Sequence, residues 1–195
     1  MITGGTLGLT AAPVASERDM PDADVTPRAA GSLAALAFAD RGVRSSVLRL
    51  PPTVHAEGDH GFVPMLIGIA RDKGVSAYVG DGSNRRPAVH RSDAARLFRL
   101  ALEQAPAGSI LHGVAEEGIP IRTIAELIGR HLDVPTTAIA PDQAGEHFGW
   151  LSAFFATDVP TSSTLTRELL NWRPTGPGLV DDLDKGHYFH GPSNP

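Results

Sequence analysis

One helix, one glycine and one strand near the start of the chain constrain its fold more than any other feature. An alanine- and leucine-rich stretch, Arg28 to Asp40, has the apolar spacing of a helix, and Gly42 follows as a typical helix terminator. Val43 to Leu50 then reads as a strand that Pro51 and Pro52 stop. This order is the repeat of a parallel α/β sheet, and one such unit cannot form a stable sheet alone. The sequence therefore predicts an α/β fold whose other strands lie elsewhere in the chain.

The rest of the chain mixes strand and helix patterns, and helices predominate towards its end. Apolar spacing predicts helices over 62–73, 92–104, 121–132, 142–155, 164–171 and 180–189. Apolar runs predict strands over 76–79, 87–90 and 110–115, and residues 1–10 read as a strand end with a glycine-rich turn. Residues 11–27, with three prolines and four acidic groups, read as an exposed loop. We expect an incomplete Rossmann-type parallel sheet in residues 1–60 and a small, mainly helical C-terminal substrate lobe in residues 61–195, with a strand at 109–115 returning to the sheet.

Composition narrows the range of partners. The 195 residues are 42% hydrophobic and 20% charged, which is typical of a soluble globular domain, and no apolar stretch reaches the ~20 residues of a membrane span. A formal net charge of −5 offers no general attraction to nucleic acid or anionic lipid. The absence of cysteine excludes disulfides and thiolate zinc sites. We expect a cytoplasmic protein that binds a small molecule rather than nucleic acid or a membrane.

A glycine-rich turn over residues 80–84 leads into a short strand, the tetrad His90-Arg91-Ser92-Asp93 and a helix. The turn lacks the Lys-Ser/Thr of a P-loop, so it predicts no nucleoside triphosphate site. Three arginines in this stretch, Arg85, Arg86 and Arg91, are able to hold a phosphate or a carboxylate bidentately, and a solvated turn is the equal alternative.

A compact group of histidines and acids follows the strand that ends at Leu50. It comprises His55, Glu57, Asp59 and His60. A metal site needs three or four ligands that converge in space, which spacing within one loop does not establish. Because α/β proteins bind ligands at the carboxyl ends of their strands, we interpret this group as a substrate-facing loop and predict no metal site.

The order of motifs along the chain is more informative than any one of them. A Thr-Gly-rich turn and a helix precede a strand ending in Arg-Leu-Pro-Pro-Thr-Val-His at 49–55; Val-His-Arg-Ser-Asp-Ala-Ala follows at 89–95 and Leu-Asn-Trp-Arg-Pro at 170–174. This order resembles the extended and atypical short-chain dehydrogenase/reductases, the NAD-dependent epimerase/dehydratase-like group. The resemblance implies a nucleotide-dependent oxidoreductase or epimerase that acts on a small carbonyl, alcohol or nucleotide-sugar substrate.

The resemblance also implies roles for particular residues. The loop of Pro51, Pro52, Thr53 and Val54 would lie beside the nicotinamide of NAD or NADP. The junction between sheet and lobe carries the substrate-binding candidates, which are Arg86, His90 and Asp93. For His90 and Asp93 a structural role is the alternative, with Asp93 capping its helix. The proton-handling candidates are chosen by position alone and are Thr3, Thr6 and His55.

Three departures from the family pattern set a second hypothesis beside the first. The sequence has no Gly-x-x-Gly-x-x-Gly turn after a strand, Gly4 stands where a catalytic serine is expected, and neither Tyr78 nor Tyr188 has a lysine four residues later. We therefore expect the chain to correspond to the C-terminal two-thirds of a family member that lacks the N-terminal nucleotide-binding part. The alternative is a non-catalytic binding or regulatory module, or an inactive fragment. An exposed sheet edge would favour self-association.

Overall fold

Helices and parallel strands make up most of the chain. The computed structural model describes residues 1–9, 13–21 and 27–190. Its strands are β1 (Ile2–Gly5), β2 (Ser46–Leu50), β3 (Thr53–His55), β4 (Ser76–Val79), β5 (Arg85–His90), β6 (Ser109–His112), β7 (Glu116–Pro120) and β8 (Thr136–Ile139). Its helices are α1 (Pro27–Ala37), α2 (Phe62–Lys73), α3 (Arg91–Gln104), α4 (Ile121–Leu132), α5 (Ala144–Phe148), α6 (Ser152–Ala156), α7 (Thr164–Leu170) and α8 (Leu179–Asp184).

The first sheet is parallel and has β2 at its centre. Its strand order is β1-β2-β6, so the chain leaves the sheet after β2 and returns to it at β6. The register places Gly4, Arg49 and His112 in one row across the three strands, one residue before the end of β1 and β2. Because all three strands run the same way, their carboxyl ends meet at one edge of the sheet.

Two smaller sheets build the region beyond β2. In one, β5 pairs with β3 in parallel and with β7 in the antiparallel sense. In the other, β4 pairs with β8 in parallel. The register of β3 and β5 sets His55 beside His90. The strands β3, β7 and β8 are not predicted by the sequence, because none of them contains more than two consecutive apolar residues, which is too short a run to mark a strand.

Two apolar clusters hold these layers together. In one, Leu48 and Leu111 of the first sheet pack with α3 and with Trp172, which is 1% exposed. In the other, α2 and α4 pack with the end of α8 and with Phe155 of α6. Burial of this kind stabilises by about 25 cal/mol per Å² of apolar surface. The predicted α/β fold class, with parallel strands and helices, is confirmed, and the region after residue 60 adds five strands, β4 to β8, to its helices.

The predicted helix bounds hold where glycine or apolar spacing defines them. The helices α2 and α4 have the predicted bounds, and Gly42, at φ +79°, ends the 3-10 turn that follows α1. The single helix predicted over 142–155 is wrong: Gly149, at φ +59°, separates α5 from a 3-10 turn that leads into α6. The last helix is also shorter than predicted, since α8 ends at Asp184.

The segment before α1 is not the exposed loop that its composition predicts. Within residues 13–21, Ala15 and Glu17 are each 5% exposed, and Ala15 forms a parallel bridge with Thr161. The sequence misses this because the partners lie about 150 residues away, in the segment leading to α7. The rest of the predicted loop, and the tail after His190, lie outside the described residues.

None of the helices in the described part of the chain is both long and apolar enough to cross a bilayer.

Candidate functional site

The carboxyl ends of β1 and β2 are joined by a hydrogen bond. The backbone N–H of Thr6 donates to the carbonyl oxygen of Leu50 at 3.0 Å, which holds the glycine-rich turn after β1 against the start of the loop after β2. Ligands of open parallel α/β sheets bind at this edge, because the turns beyond the strand ends diverge there and leave a crevice. This edge is therefore the expected position of a ligand site.

Two cavities open on either side of this turn. The first has a volume of about 220 Å³ and is lined by Gly4, Gly5, Leu7, Pro21, Ala29, Ser32 and Arg49. The second has a volume of about 200 Å³ and is lined by Thr6, Leu9, Pro13, Ala15, Arg85, Asp158, Val159, Pro160 and Thr161. Gly4 and Gly5, at the end of β1, contribute only backbone to the first cavity, and Leu7 of the following turn lines it too.

The structure separates the three predicted proton-handling residues. Thr6 is 2% exposed and lines the second cavity. Thr3 is exposed in the middle of β1, opposite Leu48 in the register. His55 is fully buried and lies on β3 with Asp182 as its partner. Of the three, only Thr6 is placed at a cavity of the sheet edge, and the proton-handling role of each stays a prediction.

The loop predicted to lie beside the nicotinamide begins at the joined strand ends. Its side chains alternate in burial, with Pro51 and Thr53 buried and Pro52 and Val54 half-buried. The hydroxyl of Thr53 is buried and has no hydrogen-bond partner among the described residues. A buried polar atom without a partner is uncommon and marks a point where a ligand atom or water completes the bonding.

Arg49 lies in the row across the sheet and is 2% exposed. Its Nη1 donates to the carbonyl oxygen of Asp19 at 2.8 Å and lies 3.3 Å from Nε2 of His112. Burial lowers the pKa of Arg49, although the negative charges of Asp19 and Glu17 act to raise it. The sequence signal for this residue is its position, because it is a charged side chain inside the apolar run Val-Leu-Arg-Leu.

His112 connects Arg49 to the segment before α7. Its Nδ1 lies 2.8 Å from the carbonyl oxygen of Ser162, so this nitrogen carries the proton and Nε2 accepts from Arg49. Burial lowers the pKa of His112, which favours this neutral form. Its backbone N–H donates to the hydroxyl of Thr166, which in turn donates to Oε1 of Glu17 at 2.6 Å. The network fastens the segment before α1 to the sheet.

Arg86 is buried in a different way. It is 0% exposed, and its Nε, Nη1 and Nη2 have no hydrogen-bond partner among the described residues. The guanidinium carbon lies 4.4 Å from the ring centre of Phe154 and 5.7 Å from that of Phe62. Burial lowers the pKa of Arg86 to about 10, although Asp158 favours its charged form.

The neighbouring arginines do not share this environment. Arg85 forms a two-point ion pair with Asp158, with Nε 3.2 Å from Oδ1 and Nη2 2.9 Å from Oδ2. Arg91 is exposed at the start of α3. Of the three arginines predicted as anion candidates, Arg85 is therefore in a surface ion pair, Arg91 is exposed to solvent, and Arg86 is buried.

His55 and His90 lie side by side between β3, β5 and α8. Nδ1 of His55 is 2.9 Å from Oδ2 of Asp182, and its Nε2 is buried without a partner among the described residues. The ring of His90 meets that of His55 edge to face at 5.3 Å. Burial and the proximity of His55 lower the pKa of His90. Burial acts to raise the pKa of Asp182, but the hydrogen bonds from His55 and Lys185 outweigh it, and the pKa of Asp182 is lowered.

Asp93 holds the Trp-Arg-Pro-Thr-Gly segment near the C-terminus. Its carboxylate is 1% exposed to solvent and accepts from the backbone N–H of Thr175 at 2.9 Å and of Gly176 at 2.8 Å. The alternative that Asp93 caps α3 is wrong, because the cap is His90, whose Nδ1 accepts from the backbone N–H of Ser92. A substrate contact for His90 or Asp93 stays a prediction.

Two yeast proteins are similar to this chain in sequence. The chain is 58% identical over 163 residues to an uncharacterized protein of Schizosaccharomyces pombe, a match that covers 84% of this chain and 55% of that protein. It is 46% identical over 184 residues to an uncharacterized protein of Saccharomyces cerevisiae, covering 94% of this chain and 62% of that protein. The chain thus spans less than two thirds of both relatives. No family model matches the sequence.

Solved structures identify the fold. The dTDP-glucose 4,6-dehydratase DesIV from Streptomyces venezuelae, with NAD and TYD bound, has a TM-score of 0.70 at 19% identity, over 96% of this chain and 58% of DesIV. RMD from Pseudomonas aeruginosa, complexed with NADPH, has a TM-score of 0.67 at 18% identity, over 97% of this chain and 65% of that one. The epimerase Mth375 from Methanothermobacter thermautotrophicus has a TM-score of 0.70 at 15% identity, over 96% of this chain and 58% of that one.

The chain therefore has the fold of the NAD-dependent epimerase and dehydratase enzymes. This confirms, at the level of fold, the resemblance that the motifs indicate in the sequence.

Proposed function

We propose that this protein is an oxidoreductase or epimerase of the NAD(P)-dependent short-chain type, acting on a substrate that carries an anionic group. The fold supports the reaction class, and the buried guanidinium of Arg86 supports the anionic group. Of the three substrate types expected from the sequence, the nucleotide sugar is the one with such a group by definition, in its diphosphate.

The environment of Arg86 is the observation that carries this proposal. Removing a charged guanidinium from water without a hydrogen-bond acceptor costs several kcal/mol, and aromatic rings return about 1–2 kcal/mol of it. A carboxylate or phosphate bound across two guanidinium nitrogens would supply the missing acceptors. The side chain lies on β5, the strand that leads into the His-Arg-Ser-Asp tetrad, where the resemblance places substrate contacts.

The described residues fit one end of a dinucleotide cofactor. The turn after Gly5 and the loop from Pro51 to Val54 meet at the strand ends, and the buried hydroxyl of Thr53 has no partner among the described residues. These features suit a nicotinamide ring with its carboxamide. The turn that meets a pyrophosphate, Gly-x-x-Gly-x-x-Gly, does not occur in this sequence.

A cofactor bound there would exchange a hydride with a substrate carbon. The residues of this chain would hold the substrate and handle a proton. Thr6 lines the cavity beside the joined strand ends and offers a hydroxyl. Asp182 keeps the proton of His55 on Nδ1, which leaves Nε2 as the atom able to accept another.

A second candidate function is binding without catalysis. It is favoured by Tyr188, whose hydroxyl lies 3.1 Å from both the backbone nitrogen and the carbonyl oxygen of Ala56. Burial raises the pKa of Tyr188, which makes it a poor proton donor at neutral pH. Tyr78 lies on β4, against the guanidinium of Arg122. Neither tyrosine therefore offers an acid suited to protonating a substrate oxygen.

Calorimetry with the 195-residue chain separates the two functions. We expect NADH or NADPH to bind with micromolar affinity, and inorganic pyrophosphate to bind to the unmodified protein but at least about tenfold more weakly to Arg86→Met. Arg85→Met, which removes the neighbouring surface arginine, is the matched control and should bind pyrophosphate as the unmodified protein does. No heat with either cofactor would reject the oxidoreductase function for this polypeptide, and equal pyrophosphate binding by Arg86→Met would reject the anion site.

We also propose that the protein is cytoplasmic, as its lack of cysteine suggests.

We propose in addition that the free edge of β1 supports self-association. Among the described strands β1 pairs with β2 alone, and Met1 and Ile2 are 38% and 36% exposed. An unpaired, partly apolar edge is a template for pairing with another chain. Light scattering after size exclusion should show a mass that rises with protein concentration, and a constant monomer mass would contradict the proposal.

A further inference from the structure

Arg49 is a second buried cation, and it differs from Arg86 in lining a cavity. Arg49 lies in the central strand of a parallel sheet, and its row neighbours are Gly4 and His112. Central strands of parallel sheets are apolar on both faces, because helices cover them. A buried arginine there lowers the stability of the fold unless hydrogen bonds or a bound anion offset the loss of its hydration.

Arg49 makes no contact ion pair with a carboxylate of the described residues. The carboxylate of Asp19 accepts instead from the backbone N–H of Ser16 at 2.6 Å. The carboxylate of Glu17 accepts from the backbone and hydroxyl of Thr166. The described partners of Arg49 are neutral, since Nη1 reaches the carbonyl oxygen of Asp19 and Nε2 of His112, and Nη2 lies 3.6 Å from Sδ of Met20. These contacts orient the positive charge, and no carboxylate among the described residues touches it.

Glycine at position 4 leaves space open beside the aliphatic stem of Arg49. A Cβ built on Gly4 would lie 3.4 Å from Cγ of Arg49 and 3.5 Å from Oγ of Ser32, which is ordinary contact distance. The backbone of Gly4 thus tolerates a methyl group, but that methyl would project between Arg49 and α1. At about 220 Å³ the cavity is smaller than the ~300–1,000 Å³ of sites for drug-sized ligands, which suits a small ion.

We propose that this cavity binds a small oxyanion, a carboxylate or a phosphate, on the guanidinium of Arg49. The site lies between the β1 turn and α1 and is distinct from Arg86 on β5. His112 and the carbonyl oxygen of Asp19 hold Nη1 of the guanidinium, and Sδ of Met20 lies 3.6 Å from Nη2. The inference goes beyond the function proposed above, since it requires neither a dinucleotide nor Arg86.

Titration of the ¹⁵N-labelled protein, followed by the amide signals in ¹H–¹⁵N spectra, tests this site by residue. Pyruvate and inorganic phosphate are the two probes, and each is added to the unmodified protein. We expect saturable shifts at Gly4, Gly5 and Ser32 with one probe or both, and the probe with the lower dissociation constant assigns the site to a carboxylate or to a phosphate. Shifts confined to residues around Arg86 would overturn the proposal while leaving the proposed function standing.

Two variants test the role of Arg49 and of the open space. We expect Arg49→Met to bind the preferred probe at least about tenfold more weakly, because a charge-assisted hydrogen bond is lost. Gly4→Ala keeps the guanidinium and fills the space, and we expect a similar loss with an unchanged circular dichroism spectrum. Gly31→Ala, at a helical glycine with nothing within 4 Å of the added methyl, is the control and should bind normally. Binding by Gly4→Ala equal to that of the unmodified protein would overturn the proposal even if Arg49→Met fails to fold.

Discussion

Arg49 and Arg86 are both buried, but the described residues give hydrogen-bond partners to Arg49 and none to Arg86. Arg49 donates to the backbone of one loop and to a histidine, so the structure around it depends on its hydrogen bonds. Arg86 donates to nothing among the described residues and is covered by two phenylalanine rings. A buried charge that supports its surroundings is costly to remove, whereas one without acceptors is costly to keep and points to a partner outside the chain.

Arg49→Met should show the larger effect on stability. The substitution leaves the carbonyl oxygen of Asp19 and Nε2 of His112 without their donor, at about 1–3 kcal/mol for each buried acceptor. We expect the free energy of unfolding to fall by about 2–4 kcal/mol in urea titrations. A loss below about 1 kcal/mol would mean that water replaces the guanidinium and that the network does not depend on Arg49.

Arg86→Met should change stability in the opposite direction. It breaks no hydrogen bond among the described residues and replaces a buried cation by an apolar side chain that still packs on Phe154. Replacement of buried charges by apolar groups is often stabilising by about 1–4 kcal/mol, and we expect a gain of about 1–3 kcal/mol in the same titration. A loss of stability as large as that of Arg49→Met would remove the distinction between the two arginines and weaken the case for an external anion.

Phe154 tests whether Arg86 is reached by moving the ring. The ring centre lies 4.4 Å from the guanidinium carbon and has to move aside before an anion makes contact. Phe154→Leu keeps most of the packing but loses the attraction of the ring for the cation, about 1 kcal/mol. We therefore expect pyrophosphate to bind severalfold more tightly to this variant in calorimetry. Unchanged or weaker binding would show that the ring does not close the site.

Acid should lower the stability of the folded chain through His112, the histidine beside Arg49. Burial lowers the pKa of His112, and burial with the nearby His55 lowers that of His90, so the unfolded chain binds protons near pH 6.5 that the folded chain does not. Stability is then complete above about pH 6.5 and falls as the pH drops below it. We expect the melting temperature to decrease between pH 7 and pH 5, with a shallower decrease in His112→Gln, whose amide replaces both hydrogen bonds. A variant slope equal to that of the unmodified protein would assign the effect to His90 or other groups.

Part of the candidate site could be predicted from the sequence, and the reason lies in local spacing. The loop from Pro51 to Val54 follows a strand that two prolines stop, so its position at the sheet edge is local information. Arg86 was grouped with Arg85 and Arg91 by composition, but burial alone distinguishes it, and burial depends on Phe154, about 70 residues away. Glu17 and His112 were missed because their contacts join distant parts of the chain through Thr166.

By itself, the sequence determined the fold class, most helix bounds and the order of motifs, because glycine stops, proline stops and apolar spacing act over a few residues. Only the tertiary structure decided which polar groups are satisfied. It brought Asp182 to His55 across 127 positions and Asp93 to the segment at Thr175 and Gly176, and it left Arg86 without an acceptor. Hydrogen bonding and desolvation depend on distances in space, so no local pattern distinguishes a buried cation that the chain supplies with acceptors from one that it leaves without them.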